Sequence, residues 1–249
     1  MLELKIQGAN YGKKKILQDI ELSLSSGWTS IIGPNGSGKT SLLRSILGQL
    51  DSDGSIYWEG NDLTSLDVGQ TVSYLPQSLN RPKGMSVGEY VLLGRVAHLG
   101  LLQIAKANDR QTAEDAIDLV GATHLSGRSV ISLSGGEMQR IGFARSLCQE
   151  TPVMLLDEFT SSLDIGAVVS QCVLQQELIA SRELTVLAAM HDLSLAARFS
   201  DNVVLLNQGR VVDYGPPDQV MTESALGELY QTDIRLAVGQ DGYTSIYAV

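Results

Sequence analysis

Three segments carry the residue types that phosphate chemistry needs: residues 33–40 (GPNGSGKT), 133–139 (LSGGEMQ) and 155–158 (LLDE). The first fits G-x-x-x-x-G-K-[ST]. In that pattern Gly33, Gly36 and Gly38, with Pro34, Asn35 and Ser37 between them, let backbone N–H groups point inward around phosphates. Lys39 is placed to reach the β- and γ-phosphates, the Thr40 hydroxyl to ligate Mg²⁺, and Ser41 completes the phosphate-binding set. In the second segment Ser134, Gly135 and Gly136 form a turn that opens a helix, the geometry that binds an anion at a helix N-terminus. One nucleoside triphosphate needs only one phosphate cradle from its own subunit. A second anion-binding helix therefore predicts that two copies of the chain share their ATP.

The remaining chemistry sits at strand ends. Residues 153–156 (VMLL) lead straight into Asp157 and Glu158. A buried parallel strand ending in two acids sets them at the carboxyl edge of a sheet, beside the phosphate loop. Asp157 is suited to hold Mg²⁺ through water, and Glu158 to orient and polarise the attacking water. A second apolar strand, 186–189, ends in Met190, His191 and Asp192, where His191 can reach a γ-phosphate and sense its loss. Gln77 is expected to contact the metal or its water. Tyr11 offers a ring face to adenine, the alternative being an ordinary core tyrosine. His98 and His124 lack comparable context and read as structural or exposed.

The elements that must position these groups follow from periodicity. Residues 2–7 and 20–24 alternate apolar and polar, predicting two half-buried antiparallel strands. Residues 28–32 form an apolar strand into the phosphate loop, and Leu42, Leu43, Ile46, Leu47 and Leu50 line one face of the following helix, which is expected to end near Gly48. Strands are predicted at 55–59 and 71–75, and a helical stretch from 86 to 147 with breaks at Gly121 and Gly127. Parallel strands at 153–156 and 185–189 flank a helix at 164–181. Strands at 202–207 and 210–214, two short helices and a hairpin (234–238 and 243–248, turning at Asp241 and Gly242) complete the chain.

With 249 residues, 43% of them hydrophobic, the chain can form one large α/β domain or two small ones. The longest apolar stretch, 91–107, is broken by Arg95, His98 and Gln103, so no bilayer span is predicted. The first fifteen residues lack the apolar core of a secretory leader, and a cytosolic location is expected. Cys148 falls at helical spacing from Ile141, Ala144 and Arg145 and reads as a buried thiol. A net charge of −10 argues against a nucleic-acid partner, and the one basic block, Lys13, Lys14 and Lys15, reads as a solvated turn between strands.

The motifs, in this order, resemble those of the nucleotide-binding subunits of ATP-binding cassette transporters, and the resemblance covers the whole chain. It implies an α/β fold: a P-loop NTPase core with a mixed sheet, an N-terminal antiparallel β subdomain and an inserted helical subdomain. One cassette then fills residues 1–249, with the helical insertion at about 77–132 and C-terminal helices and hairpin at about 216–249. The resemblance further implies an adenine platform at Tyr11, a Q-loop at Gln77 and a signature motif at 133–139. Walker B falls on 153–157, the catalytic glutamate on Glu158, a D-loop on Ser162, Leu163 and Asp164, and the switch histidine on His191. It implies head-to-tail homodimers in which Ser134 and Gly136 of one subunit close on ATP held by the other. Two positions depart from the family pattern: Phe159 stands where Pro is usual after the glutamate, and Ser162 where Ala is usual. Losing Pro loosens the φ restraint behind Glu158, but neither change removes a catalytic group, so ATPase activity is expected.

Within that family, Leu93, Gly94 and Arg95 followed by His98 resemble importers of iron–siderophore complexes, haem or cobalamin, as does the stretch 225–236 before the hairpin. The alternative for the first segment is ordinary helix packing around Gly94. The importer resemblance implies a multi-helix membrane permease, an extracellular or periplasmic binding protein, and a peripheral location on the cytoplasmic face of the inner (cell) membrane. A competing class is a cytosolic cassette ATPase of an iron–sulphur cluster assembly complex. The Gln77 region and the 93–98 segment favour the importer.

Overall fold

The computed structural model describes residues 1–99, 103–240 and 242–249. Strands β1 (Leu2–Tyr11) and β2 (Lys14–Leu24) open it as an antiparallel pair. Leu2, Leu4 and Ile6 face inward opposite Leu24, Leu22 and Ile20, as the period-two pattern requires. Both strands outrun that pattern because a bulge between Ala9 and Asn10 resets the register and carries pairing on to Tyr11 and Lys14. Next come β3 (Gly27–Ile32), the phosphate loop and α1 (Lys39–Ile46), which ends before Gly48 as expected. Strand β4 (Asp51–Trp58) pairs with the other edge of β1 and starts earlier than predicted, because Asn10 pairs with Asp51. Strand β5 (Asn61–Asp62), the single turn α2 (Val68–Thr71) and β6 (Val72–Leu75) follow.

Between β6 and the next strand the chain is helical: α3 (Val87–Leu92), a 3₁₀ segment at Leu93–His98, α4 (Ala107–Leu119) and α5 (Gly135–Cys148). Here the packing reading of Gly94 is the one observed. A Cβ on Gly94 would stand 2.5 Å from the Arg145 carbonyl oxygen and 3.1 Å from Cys148 Cβ, so only glycine lets this segment lie on α5. Arg95 turns inward as well. Its Nε meets Asp109 Oδ1 at 3.2 Å, and its Nη1 meets Glu150 Oε2 at 2.7 Å and the Cys148 carbonyl at 3.0 Å. His98 Nε2 lies 2.7 Å from the Gln149 carbonyl. Leu93 and Val96 are left exposed.

Arg95→Met is expected to lower the thermal midpoint by several degrees, because it strands carboxylates that Arg95 neutralises. The Lys106 backbone N–H, and then Arg95, hold the Asp109 carboxyl below its ordinary value. A depressed native pKa contributes stability that is complete above the unfolded value, near pH 4, and is lost as pH falls through the native one. Asp109→Asn is therefore expected to flatten the acid limb of a stability profile measured by circular dichroism melts.

The second half runs β7 (Val153–Asp157), α6 (Ile165–Arg182), β8 (Thr185–Ala189), α7 (Leu193–Phe199), β9 (Asn202–Asn207) and β10 (Arg210–Gly215). It closes with α8 (Pro217–Val220), α9 (Glu223–Tyr230) and the hairpin β11 (Ile234–Val238) and β12 (Thr244–Ala248). Helix α7 is an element the periodicity did not reveal; Asp192 caps it by accepting from the Leu195 N–H at 2.9 Å. Of the turn expected at Asp241 and Gly242, Asp241 lies outside the described residues.

The central sheet has the order β10-β9-β3-β8-β7-β6, parallel except for β10. The N-terminal sheet, β2-β1-β4-β5, is antiparallel. Alternate residues of the central strands enter two cores. Ile31, Leu155, Leu187 and Val204 pack with α1 and the N-terminal sheet, whereas Met154, Leu156, Val186 and Val203 pack with α3–α7. Burial on both faces explains why 153–156, 186–189 and 203–206 read as unbroken apolar runs. Both cysteines, Cys148 and Cys172, are free and buried, which pushes each thiol up to about 12. No helix among the described residues is long and apolar enough to cross a membrane.

Candidate functional site

Parallel strands place their carboxyl ends along one edge of a sheet, and here that edge collects the chemistry. The phosphate loop follows β3, His191 follows β8, Asp157 ends β7 and Gln77 lies just past β6; β3, β8, β7 and β6 are neighbours in that order.

The loop is held from three sides. Gly38 caps α1 at φ 110°, a conformation that needs glycine, with Leu17 and Gly209 close against it. The Gly209 N–H donates to the Ser37 carbonyl at 2.8 Å, and the Gly209 carbonyl accepts from Gln18 N–H at 2.8 Å, so the β9–β10 turn ties the loop to β2. Lys39 Nζ donates to the carbonyls of Gly33 (2.7 Å) and Pro34 (3.4 Å). Burial lowers the Lys39 pKa, while the charges of Glu158 and Asp157 oppose that shift. Ser37 Oγ is buried without a partner among the described residues.

A cavity of about 520 Å³ opens over this loop, lined by residues 35–41, by Lys14, Lys15 and Ile16 of β2, and by Glu158 and Gln208. This corrects the reading of the basic block as a solvated turn. Lys13 lies in the turn, but Lys14 and Lys15 begin β2 and face the cavity. A lysine run carries no apolar alternation, so nothing in its pattern marked it as strand. Gln208 was passed over because it looked like turn punctuation. Tyr11 is 69% exposed at the end of β1, paired with Lys14, which excludes the core-tyrosine alternative.

Beside the loop the acids are tightly bonded. Thr40 Oγ1 donates to Asp157 Oδ1 at 2.9 Å, and Tyr74 Oη donates to Asp157 Oδ2 at 3.0 Å. Burial, then Asp157, pushes the Tyr74 hydroxyl up to about 12, so it remains a donor. Burial also raises the Asp157 carboxyl, against the lowering effect of these two hydrogen bonds. Tyr74 was not anticipated, since on an apolar strand it looks like one more core aromatic. Glu158 accepts from Gln77 Nε2 at Oε2, and His191 Nε2 lies 2.5 Å from its Oε1. The Gln77 amide thus lies on Glu158 rather than on Asp157. Glu158 adopts φ 51°, a left-handed conformation costing about 1–3 kcal/mol for a non-glycine residue. Its N–H donates to Ala189 (3.1 Å) and its carbonyl accepts from Ser161 (3.2 Å).

Carboxylate, hydroxyl and amide oxygens on Asp157, Thr40 and Gln77 make a hard, sparse donor set. It suits Mg²⁺, which keeps waters and phosphate oxygens as its other ligands. Among the described residues no cluster of three His, Cys, Asp or Glu side chains forms a cage for a different metal.

The turn at Ser134, Gly135 and Gly136, expected from its sequence to bind an anion, forms but stands apart from the cavity. Ser134 caps α5: its Oγ accepts from Glu137 N–H (3.2 Å) and its N–H donates to Glu137 Oε2 (2.7 Å). The N–H groups of Gly135 and Gly136 are not part of this box. Arg81 Nη1 donates to the Leu133 carbonyl at 2.5 Å, pinning the turn. A Cβ on Gly136 would lie 3.1 Å from the Ser162 carbonyl, so the turn rests on the segment before α6. There Asp164 caps α6 by accepting from Ala167 N–H at 2.8 Å. The structure therefore joins the loop residues, Gln77, Asp157, Glu158 and His191 by cavity walls and direct bonds. Ser134, Gly135, Gly136, Asp164 and Tyr11 do not line the same cavity.

The family model described as ABC transporter matches residues 17–161. The ferric enterobactin transport ATP-binding protein FepC of Escherichia coli K12 is 33% identical over 225 residues, 88% of this chain and 83% of that protein. The hemin import ATP-binding protein HmuV of Shewanella denitrificans is 34% identical over 251 residues, 97% of each chain. A chain from a transporter assigned to the metal-chelate type, solved in an inward-facing conformation, superposes with a TM-score of 0.87. It is 28% identical, with 100% of this chain and 97% of that one covered. A family match across more than half of the residues, and 34% identity along nearly all of them, leave a single assignment for this phosphate site: the chain belongs to the ABC transporter family as an ATP-binding, ATP-hydrolysing subunit.

Proposed function

We propose that this chain hydrolyses Mg-ATP as one of a head-to-tail pair and drives import of a metal chelate of the iron–siderophore, haem or cobalamin class through a multi-helix permease. The observation that carries the pairing is the split between two phosphate-directed devices: the loop 33–40 lines the cavity and the Ser134–Gly135–Gly136 turn does not. A second copy brings its turn to the open side of the first copy's nucleotide. The relatives named above, which run the length of the chain, support the chelate class.

In this mechanism Lys39 and the loop N–H groups bind the phosphates, and Tyr11 flanks the adenine. Thr40, Asp157 and Gln77 hold Mg²⁺, which when bound neutralises charge on the phosphate oxygens. Glu158 takes the proton of the attacking water, while His191 and Gln77 fix its two carboxylate oxygens. The Asp164 segment, seated against α5, lies at the seam between copies. An extracellular or periplasmic binding protein delivers the chelate, and the subunit sits on the cytoplasmic face of the membrane.

The exposed Leu93 and Val96, beyond Gln77 and against α5, offer the apolar contact for a cytoplasmic permease helix. Leu93→Cys and Val96→Cys are expected to cross-link to a permease loop in cells. Labelling confined to soluble scaffold proteins would instead establish the iron–sulphur assembly role and overturn the importer reading.

A further inference from the structure

We propose that Phe159 is a positioning residue for Glu158, acting through a buried aromatic stack that also anchors His191. The proposal rests on the role of Glu158 given above. Phe159 directly follows the glutamate and is 0% exposed. Its ring lies 6.0 Å from that of Trp28, tilted by 56°, and Trp28 stacks on Phe199 at 6.2 Å and 23°. Phe199 ends α7, the helix that starts just after His191 and is capped by Asp192. Glu158 Oε1 and His191 Nε2, which meet at the carboxyl edge of the sheet, thus belong to two chain segments that each place a ring against one indole.

The main chain that carries the indole is pinned at both of its polar groups. The Trp28 backbone N–H donates to Asp201 Oδ2 at 2.7 Å and the Trp28 carbonyl accepts from Asp201 N–H at 2.9 Å, while the buried indole N–H has no partner among the described residues, so the ring is held by packing. Two residues on, Ser30 Oγ contacts Met190 Sδ at 3.1 Å and Ser200 Oγ at 2.6 Å, fixing the residues before His191 and after α7 to the same strand. Glu158 itself is in a left-handed conformation that a glutamate does not keep unaided. A buried ring one residue later supplies the restraint. Tilted and offset aromatic contacts are directional in a way that aliphatic packing is not, so the stack sets an orientation as well as filling volume. The nucleotide is bound elsewhere, by residues 33–41. Loss of the ring is therefore expected to affect turnover and to spare ATP binding.

The discriminating variant is Phe159→Leu, which keeps apolar bulk and removes the ring. In the full chain, kcat for ATP is expected to fall roughly 10- to 100-fold, the loss that follows when a reacting group is displaced by about an ångström. KM for ATP is expected to stay within about twofold, since the loop that sets it is untouched. Phe199→Leu, at the far end of the stack, is expected to give the same split, and the double variant to lose little more than either alone. Glu158→Gln, run alongside, tests the role of the glutamate separately. If Glu158→Gln is inactive while a folded Phe159→Leu turns over normally, Phe159 is only core filling and the proposal is wrong. Parallel changes in kcat and KM, or fully multiplicative losses in the double variant, overturn it as well. Should Phe159→Leu not fold, the kcat and KM of Phe199→Leu decide the matter by the same criteria.

Discussion

Glu158→Gln is expected to lower ATP turnover by roughly 10²- to 10⁴-fold while ATP still binds. The shape of the side chain is preserved, so the loop and Asp157 are undisturbed; what is lost is a carboxylate able to take a proton. The bonding around residue 158 sharpens the expectation. Glu158 presents one oxygen to Gln77 and the other to His191. A glutamine keeps one acceptor oxygen for the Gln77 amide, and its NH₂ can pair with His191 only in the tautomer whose Nε2 accepts, so the imidazole must change its proton arrangement when the basicity is lost. With the γ-phosphate uncleaved, the variant is expected to accumulate as an ATP-loaded dimer. Light scattering at high protein concentration with ATP, or on the detergent-solubilised complex with its permease, measures this. Normal hydrolysis by Glu158→Gln would remove the glutamate from its role. Tight ATP binding by a protein that stays monomeric beside its permease would remove the shared site.

Lys39→Ala is expected to reduce nucleotide binding or hydrolysis by roughly 10²- to 10³-fold, the loss typical of deleting one donor aimed at developing charge. The fold is expected to survive. The phosphate loop is flanked by β3, buried in the sheet, and by α1, whose Leu42, Leu43 and Ile46 are buried independently of the lysine. Removing Nζ leaves the Gly33 and Pro34 carbonyls without that donor, a local loss that the independently packed strand and helix are expected to absorb. Steady-state ATPase assays with parallel melting curves separate the two effects. Ordinary turnover by a folded Lys39→Ala protein would refute the assignment of the loop.

How far the sequence disclosed this depended on what kind of signal each residue left. The strands that deliver the motifs were visible because they are buried on both faces; β8 was anticipated at its observed bounds, and β3 and β7 to within one residue. Glycine spacing and the acids behind an apolar strand disclosed the phosphate loop and Asp157–Glu158. Helix α7 stayed hidden because seven residues make only two turns, too few for a helical period to show. Lys14 and Lys15 stayed hidden because their importance comes from strand register, which a bulge had shifted. The hydroxyl of Tyr74 and the left-handed backbone of Glu158 arise from contacts across the sheet that no local pattern encodes. Gly94 and Arg95 show the reverse case. They stood out in the sequence, and what singles them out in the fold is a close helix contact and a buried ion pair.

The two lysines at the cavity rim also bear on how a nucleotide arrives. The chain carries a net charge of −10, so a polyanion approaching most of its surface meets repulsion. Lys14 and Lys15, backed by Lys39 and the N-terminus of α1, make the loop mouth a local attractive basin within that repulsive field. Capture is then funnelled: collisions elsewhere are turned away, and those near the mouth are drawn in. Because such long-range fields are screened over a Debye length of about 8 Å at physiological ionic strength, added salt weakens both the repulsion and the funnel. The basin is therefore expected to act on the rate of encounter, and that rate to fall as salt is added.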